Sequence, residues 1–178
     1  MARSSSDRNT PGLDAAALER LALAYVGRYA TTRSRLAAYL RRKVGARGWT
    51  GDEPAGIDRI VERMAAFGYV DDRGFGEARA RALARRGFGT RRVAEALRAA
   101  GLGEEDVAPI REESERSAWA AALAFARRRR IGAFATESAD EPARRKAFAA
   151  MIRAGHAPDM ARRFVEAAPG EPPEADER

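Results

Sequence analysis

The chain has 178 residues, a net charge of +7 and 33% charged residues, with all but two of its basic residues (Lys43 and Lys146) being arginine. It holds no cysteine, which excludes disulfides, thiol chemistry and cysteine-based metal sites. No apolar run approaches the ~20 residues that cross a bilayer, and Met1 to Pro11 lacks the apolar segment of a signal peptide, so the sequence reads as a soluble, cytoplasmic protein.

Residues 1–12 are rich in Ser, Arg and Asn and read as a disordered arm. From Leu13 the apolar spacing is helical, with Leu18, Leu21, Tyr25 and Tyr29 on one face. Thr31 or Thr32 caps a second helix that buries Leu36, Tyr39, Leu40 and Val44 and turns Arg33, Arg35, Arg41 and Arg42 outward. Gly45, Gly48 and Gly51 break it, and residues 45–54 form a loop around Trp49. Pro54 stands near the start of a third helix with Ile57, Ile60, Val61, Met64 and Phe67 as its stripe, and Gly68 ends it.

The stretch from Gly68 to Leu102 is the most informative. Asp71 or Asp72 caps a helix carrying Phe75, Ala78, Ala82 and Leu83 on one face. Gly87 and Gly89 turn the chain, Thr90 caps the next helix, Val93, Leu97 and Ala100 form its stripe, and Gly101 stops it. Glu104, Glu105 and Asp106 suit a helix start, where carboxylates meet the positive end of the dipole. The sequence leaves open whether residues 104–131 make one helix or two. Pro142 opens a helix that buries Phe148, Met151 and Ile152, and a last helix from Pro158 to Ala168 buries Met160, Phe164 and Val165. Residues 169–178, rich in Pro and Glu, read as a disordered tail.

No segment alternates with period two, so the expected fold is all-α. Residues 35–41 align with 92–98, and 146–155 echo 92–101. This predicts tandem three-helix repeats over residues 13–70, 71–113 and 114–168, stacked into an elongated array.

The order Gly-Tyr-Val-Asp-Asp at 68–72 with Phe75, followed by Gly-Phe-Gly-Thr-Arg-Arg-Val at 87–93 with Leu97 and Gly101-Leu102, resembles the RecX family of RecA regulators. The likeness runs from the first helix to Phe164. It departs from the family pattern at Gly155-His156, where Gly-aromatic is usual. The resemblance implies a non-enzymatic inhibitor that binds the RecA–single-stranded DNA filament. Such a protein limits filament extension, strand exchange, ATPase and co-protease activity, and so modulates homologous recombination, DNA repair and the SOS response.

The residues themselves offer little catalysis. His156 is the one histidine and sits in a turn, so no nucleophile–His–acid set assembles around it without spending it. Asp71-Asp72 reads as a helix cap rather than a metal site, and residues 87–89 are too short for a phosphate loop. No cofactor or metal is expected. The expected contact residues are Arg33, Arg35, Arg41 and Arg42 in the first repeat, Arg91, Arg92 and Arg98 in the second, and Arg144, Arg145 and Lys146 in the third, with Arg127 to Arg130 adding a basic run. The partner is the recombinase filament, met by a monomer with weak, sequence-independent affinity for single- or double-stranded DNA and none for membranes. The alternative is a basic helix-turn-helix-like DNA binder without a recombinase partner. Against it, aromatic residues are 7% of the chain and fall mostly on core stripes, leaving few stacking platforms.

Overall fold

The computed structural model describes residues 11–175. Among the described residues there are nine α-helices and no strand, so the fold is all-α; a single isolated bridge pairs Leu13 with Trp49. The expected arm lies outside the described residues except for Pro11 and Gly12. The Pro11 carbonyl accepts from the Arg47 guanidinium, and Leu13 exchanges backbone hydrogen bonds with Gly48 and Thr50 at 2.9 Å each.

The chain divides into two compact units at Phe75/Gly76. The first holds α1 (Ala15–Val26), α2 (Arg33–Arg47) and α3 (Ile57–Ala66), each packed on the other two. Their shared core is Leu13, Leu18, Ala22, Leu36, Leu40, Ile60, Val61, Met64 and Val70. Each fully buried leucine contributes roughly 1.5–3 kcal/mol by leaving water. Asp14 caps α1 by accepting from Ala17 N–H at 2.7 Å, and Thr32 caps α2 through Arg35 N–H at 3.2 Å. Helix α2 runs through Gly45 and stops at Gly48, whose φ of 78° is open to glycine without strain.

Two expectations about buried faces and one about a helix break are corrected here. Tyr29 lies beyond the end of α1 and is 51% exposed. Phe67 lies one residue past the end of α3, where the helix has stopped, and is 66% exposed. Gly45 does not break α2.

Helix α4 (Asp72–Arg85) spans the division. Its buried positions are Gly76, Ala80 and Leu83, whereas Ala78 is exposed. Gly76 has no room for a side chain: a Cβ would stand 2.6 Å from both Ile110 Cδ1 and Leu102 Cδ2. The second unit continues with α5 (Thr90–Arg98), α6 (Glu104–Arg116), α7 (Ala118–Arg129), α8 (Glu141–Arg153) and α9 (Pro158–Glu166). Residues 104–131 are thus two helices, parted at Ser117, with Pro109 inside the first. Helices α7, α8 and α9 close over Ala122, Phe125, Ala126, Ile131, Met151, Ala161 and Phe164.

Thr90 does not cap α5. The cap position is Gly89, which has no side chain to offer, and the free N–H groups are met from elsewhere. Gly89 N–H donates to the Ala154 carbonyl at 2.9 Å and Arg91 N–H to the Gly155 carbonyl at 3.3 Å. The end of α8 therefore closes the start of α5. The contact is backbone on backbone: a Cβ on Gly89 would stand 2.3 Å from the Gly155 oxygen. Beyond α9, Gly170 N–H donates to the Ala133 carbonyl, and the Glu174 carbonyl accepts from Arg163.

Some aligned positions of the repeated segment share their environments, although Ala147 and Phe148 of α8 are only half-buried where Val93 and Ala94 of α5 are buried. Leu36 and Leu40 of α2, Val93 and Leu97 of α5, and Met151 of α8 are all buried. Gly101 and Gly155, equivalent in the alignment, both take positive φ at helix ends.

Candidate partner-binding surface

The Asp71-Asp72 pair builds the frame on which the first basic helix sits. Asp71 accepts from Gly74 N–H at 2.9 Å and caps α4. Asp72 accepts from Arg33 N–H at 2.8 Å and so closes the start of α2. Among the described residues no group of three or more His, Cys, Asp or Glu side chains converges as a metal site would require. Also among those residues, no helix is long and apolar enough to cross a membrane.

On α2 the four expected arginines are exposed but have different surroundings. Arg41 pairs with Asp58 at 2.9 Å, and Arg35 lies over the Phe75 ring at 5.4 Å. Arg42 lies over Tyr39 at 5.7 Å, with Lys43 over the same ring at 5.6 Å. Tyr39 stacks on Tyr25 with centroids 4.2 Å apart and planes 20° apart, and Tyr25 meets Tyr29 at 5.3 Å. Arg28 lies 5.8 Å from the Tyr29 ring. Tyr25, Arg28, Tyr29, Tyr39 and Arg42, with Ala24, wall a hollow of about 460 Å³ at the outer face of α1 and α2. Tyr25 and Tyr39 pack on the core, as aromatics on a core stripe do, while Tyr29 stands exposed beside them. Tyr39 and Arg42 stand three residues apart on α2, a spacing that brings a cation beside a ring, whereas Arg28 and the Tyr29 ring it covers are chain neighbours beyond the end of α1.

In the second unit the expected residues fall on α5 and α8. Arg91 is exposed, yet its guanidinium donates to the Ile152 carbonyl at 2.5 Å and joins the α5–α8 junction. Arg92 pairs with Glu95 at 3.2 Å. Arg98 is exposed, with no carboxylate partner among the described residues. Arg145 pairs with Glu141 at 3.7 Å, and Arg144 donates to the Ala139 carbonyl at 2.9 Å. Arg144 and Lys146 join Arg129 and Arg130 around a hollow floored by Ala135, Ala143 and Ala147. Within the basic run, Arg127 lies 5.3 Å from the Phe134 ring, and Arg128 and Arg129 each lie 5.7 Å from Phe125. Exposed ion pairs of this kind contribute about 0–1 kcal/mol each, so they organise the surface more than they hold the fold.

His156 is buried in the second unit. Its Nε2–H donates to the Gly87 carbonyl at 3.1 Å, its ring meets Phe125 edge-on at 5.4 Å, and its Nδ1 has no hydrogen-bond partner among the described residues. Burial holds the imidazole below its usual pKa, with the Gly87 bond partly opposing the shift.

No protein-family model matches the chain. Two curated proteins do. Regulatory protein RecX of Myxococcus xanthus is 32% identical over 163 residues, spanning 85% of this chain and 86% of that protein. Regulatory protein RecX of Halorhodospira halophila is 30% identical over 157 residues, spanning 88% of this chain and 91% of its own length. With identity at that level across most of both partners, on a fold built wholly of helices, the chain belongs to the RecX family of regulatory proteins.

Proposed function

We propose that the protein regulates the RecA recombinase by binding the RecA–single-stranded DNA filament. It limits filament extension, strand exchange, ATP hydrolysis and co-protease activity, without catalysing a reaction of its own. The observation that carries this reading is the near full-length likeness to two regulatory RecX proteins. Arginine faces on α2, α5 and α8 support it, because guanidinium forks suit both the carboxylates of a protein surface and the phosphates of a strand. In this reading the three-helix repeats lay those faces along a polymer in the cytoplasm, and the protein acts as a monomer.

The test compares binding to free recombinase, bare single-stranded DNA and the assembled filament at moderate salt. Preference for the filament, with its ATPase slowed at substoichiometric amounts, is expected. Equal binding to bare DNA and filament, with the ATPase untouched, overturns it and favours a DNA binder that has no recombinase partner. The tyrosine-walled hollow with its cations is the observation that gives this second reading its weight.

A further inference from the structure

Tyr29 is one of three strongly exposed aromatic residues of the first unit, with Phe67 and Tyr69. Tyr25 and Tyr39 pack against the core; Tyr29 does not, and it stands half exposed at the mouth of the hollow. Its position is nevertheless fixed, because its N–H donates to the Tyr25 carbonyl at 2.9 Å and its ring leans on Tyr25. The hollow is lined by Ala24, Tyr25, Arg28, Tyr29, Tyr39 and Arg42, none of them acidic. Its volume falls within the ~300–1,000 Å³ of small-ligand sites.

The cations give a second and independent observation. Two arginines of this unit pair with carboxylates, Arg41 with Asp58 and Arg63 with Glu19. Among the described residues Arg28, Arg42 and Lys43 have none, and all three gather on the tyrosine rings instead. Flat aromatic faces beside uncompensated positive charge fit a ligand that is planar and anionic in alternation. A nucleic-acid strand with unpaired bases has that chemistry, since its bases stack on the rings while its phosphates meet the cations. An acidic peptide would satisfy the cations and leave the rings idle, and a duplex hides its base faces.

We infer that the hollow at the outer faces of α1 and α2, walled by Tyr25, Tyr29 and Tyr39 and rimmed by Arg28 and Arg42, with Lys43 against the Tyr39 ring, is a binding site for single-stranded nucleic acid, with Tyr29 as the stacking residue. The site needs no recombinase, so its failure leaves the filament reading standing and can be told apart from it.

The experiment measures fluorescence anisotropy of a short labelled oligothymidylate, of a base-free strand of equal length and of the matching duplex, with the full chain at moderate salt. The wild-type protein binds the oligothymidylate more tightly than either of the others. Tyr29→Ala weakens the oligothymidylate complex by roughly 5- to 30-fold and leaves the base-free strand unaffected, whereas Tyr29→Phe binds as the wild type does. Arg42→Gln weakens binding to both single strands and lowers the salt slope by about one ion. Thermal melting of Tyr29→Ala checks the fold, which this half-exposed side chain does not support. Equal affinity for the base-bearing and base-free strands, an unchanged ratio in Tyr29→Ala, absence of binding, or competition by an acidic peptide as strong as by oligothymidylate each overturns the assignment.

Discussion

The carboxylate of Asp72 accepts a hydrogen bond at 2.8 Å from the backbone N–H of Arg33, 39 residues earlier in the chain. Its neighbour Asp71 caps α4 in the usual local way through Gly74. Two adjacent acids thus close the starts of two different helices, α4 and α2. This gives the paired aspartates a structural reason that a single cap would not.

Removal of either acid should therefore destabilise the first unit. Asp72→Ala is expected to cost about 1–2 kcal/mol and Asp71→Ala about 1 kcal/mol, with Asp72→Asn milder because its amide oxygen still accepts. Trp49 lies in the first unit and Trp119 in the second, so a Trp119→Phe background leaves Trp49 as the sole reporter of the first. Urea titration of Trp49 fluorescence in that background should show the loss. An unshifted midpoint for Asp72→Ala would remove the long-range cap.

Local chemistry was legible from sequence and distant chemistry was not. The cap at Thr32 and the helix arrests at Gly48 and Gly101 depend on neighbours within four residues, and the sequence narrows them to Thr31 or Thr32, to Gly45, Gly48 and Gly51, and to Gly101. Thr90 was misread because the groups that meet the α5 N–H donors belong to Ala154 and Gly155, some sixty residues on. Phe67 keeps the period of its stripe, but the helix stops at Ala66, and period alone does not mark that end. The basic faces could be seen as arginine on helices. Which arginines are spoken for, as Arg41 is by Asp58 and Arg91 by Ile152, depends on partners that only the folded chain brings together.

Glycine substitutions should separate contact from conformation. Gly45→Ala adds a Cβ with nothing within 4 Å, inside a helix, and should stabilise the first unit by about 0.5–1 kcal/mol. Gly89→Ala drives its Cβ into the Gly155 carbonyl, and Gly155→Ala meets Arg92 N at 2.5 Å with φ at 93°. Each should cost the second unit at least about 2 kcal/mol, since backbone on both sides cannot yield as a flexible side chain does. Thermal melts of the three variants check the order, and a neutral Gly89→Ala would contradict the close approach of α5 and α8.

The buried His156 sets a pH dependence whose sign follows from its lowered pKa. In the unfolded chain the imidazole takes a proton near its usual 6.5, while the folded chain resists it. The unfolded state then binds more protons below that pH, so stability is full above about 6.5 and falls as pH drops from there toward the folded value. Wild-type melting should decline between pH 7 and pH 5 more steeply than that of His156→Phe, which keeps the ring against Phe125 and cannot titrate. Parallel curves for the two proteins would show that His156 does not carry the difference.

Arginine substitutions on α5 should divide into two kinds. Arg91 donates to the Ile152 carbonyl, so Arg91→Glu removes a charge-assisted bond at the α5–α8 junction and lowers stability by about 1–3 kcal/mol, besides any effect on binding. Arg98 is exposed on the same helix without a carboxylate partner among the described residues, and Arg98→Glu should leave the melting temperature within about a degree or two. Filament inhibition measured on Arg98→Glu therefore reports the surface alone, whereas a loss in Arg91→Glu mixes surface with fold. On the proposed function, Arg98→Glu weakens inhibition of the recombinase ATPase several-fold at unchanged stability. Full inhibition by Arg98→Glu, together with a stable Arg91→Glu, would take α5 out of the contact surface and Arg91 out of the junction.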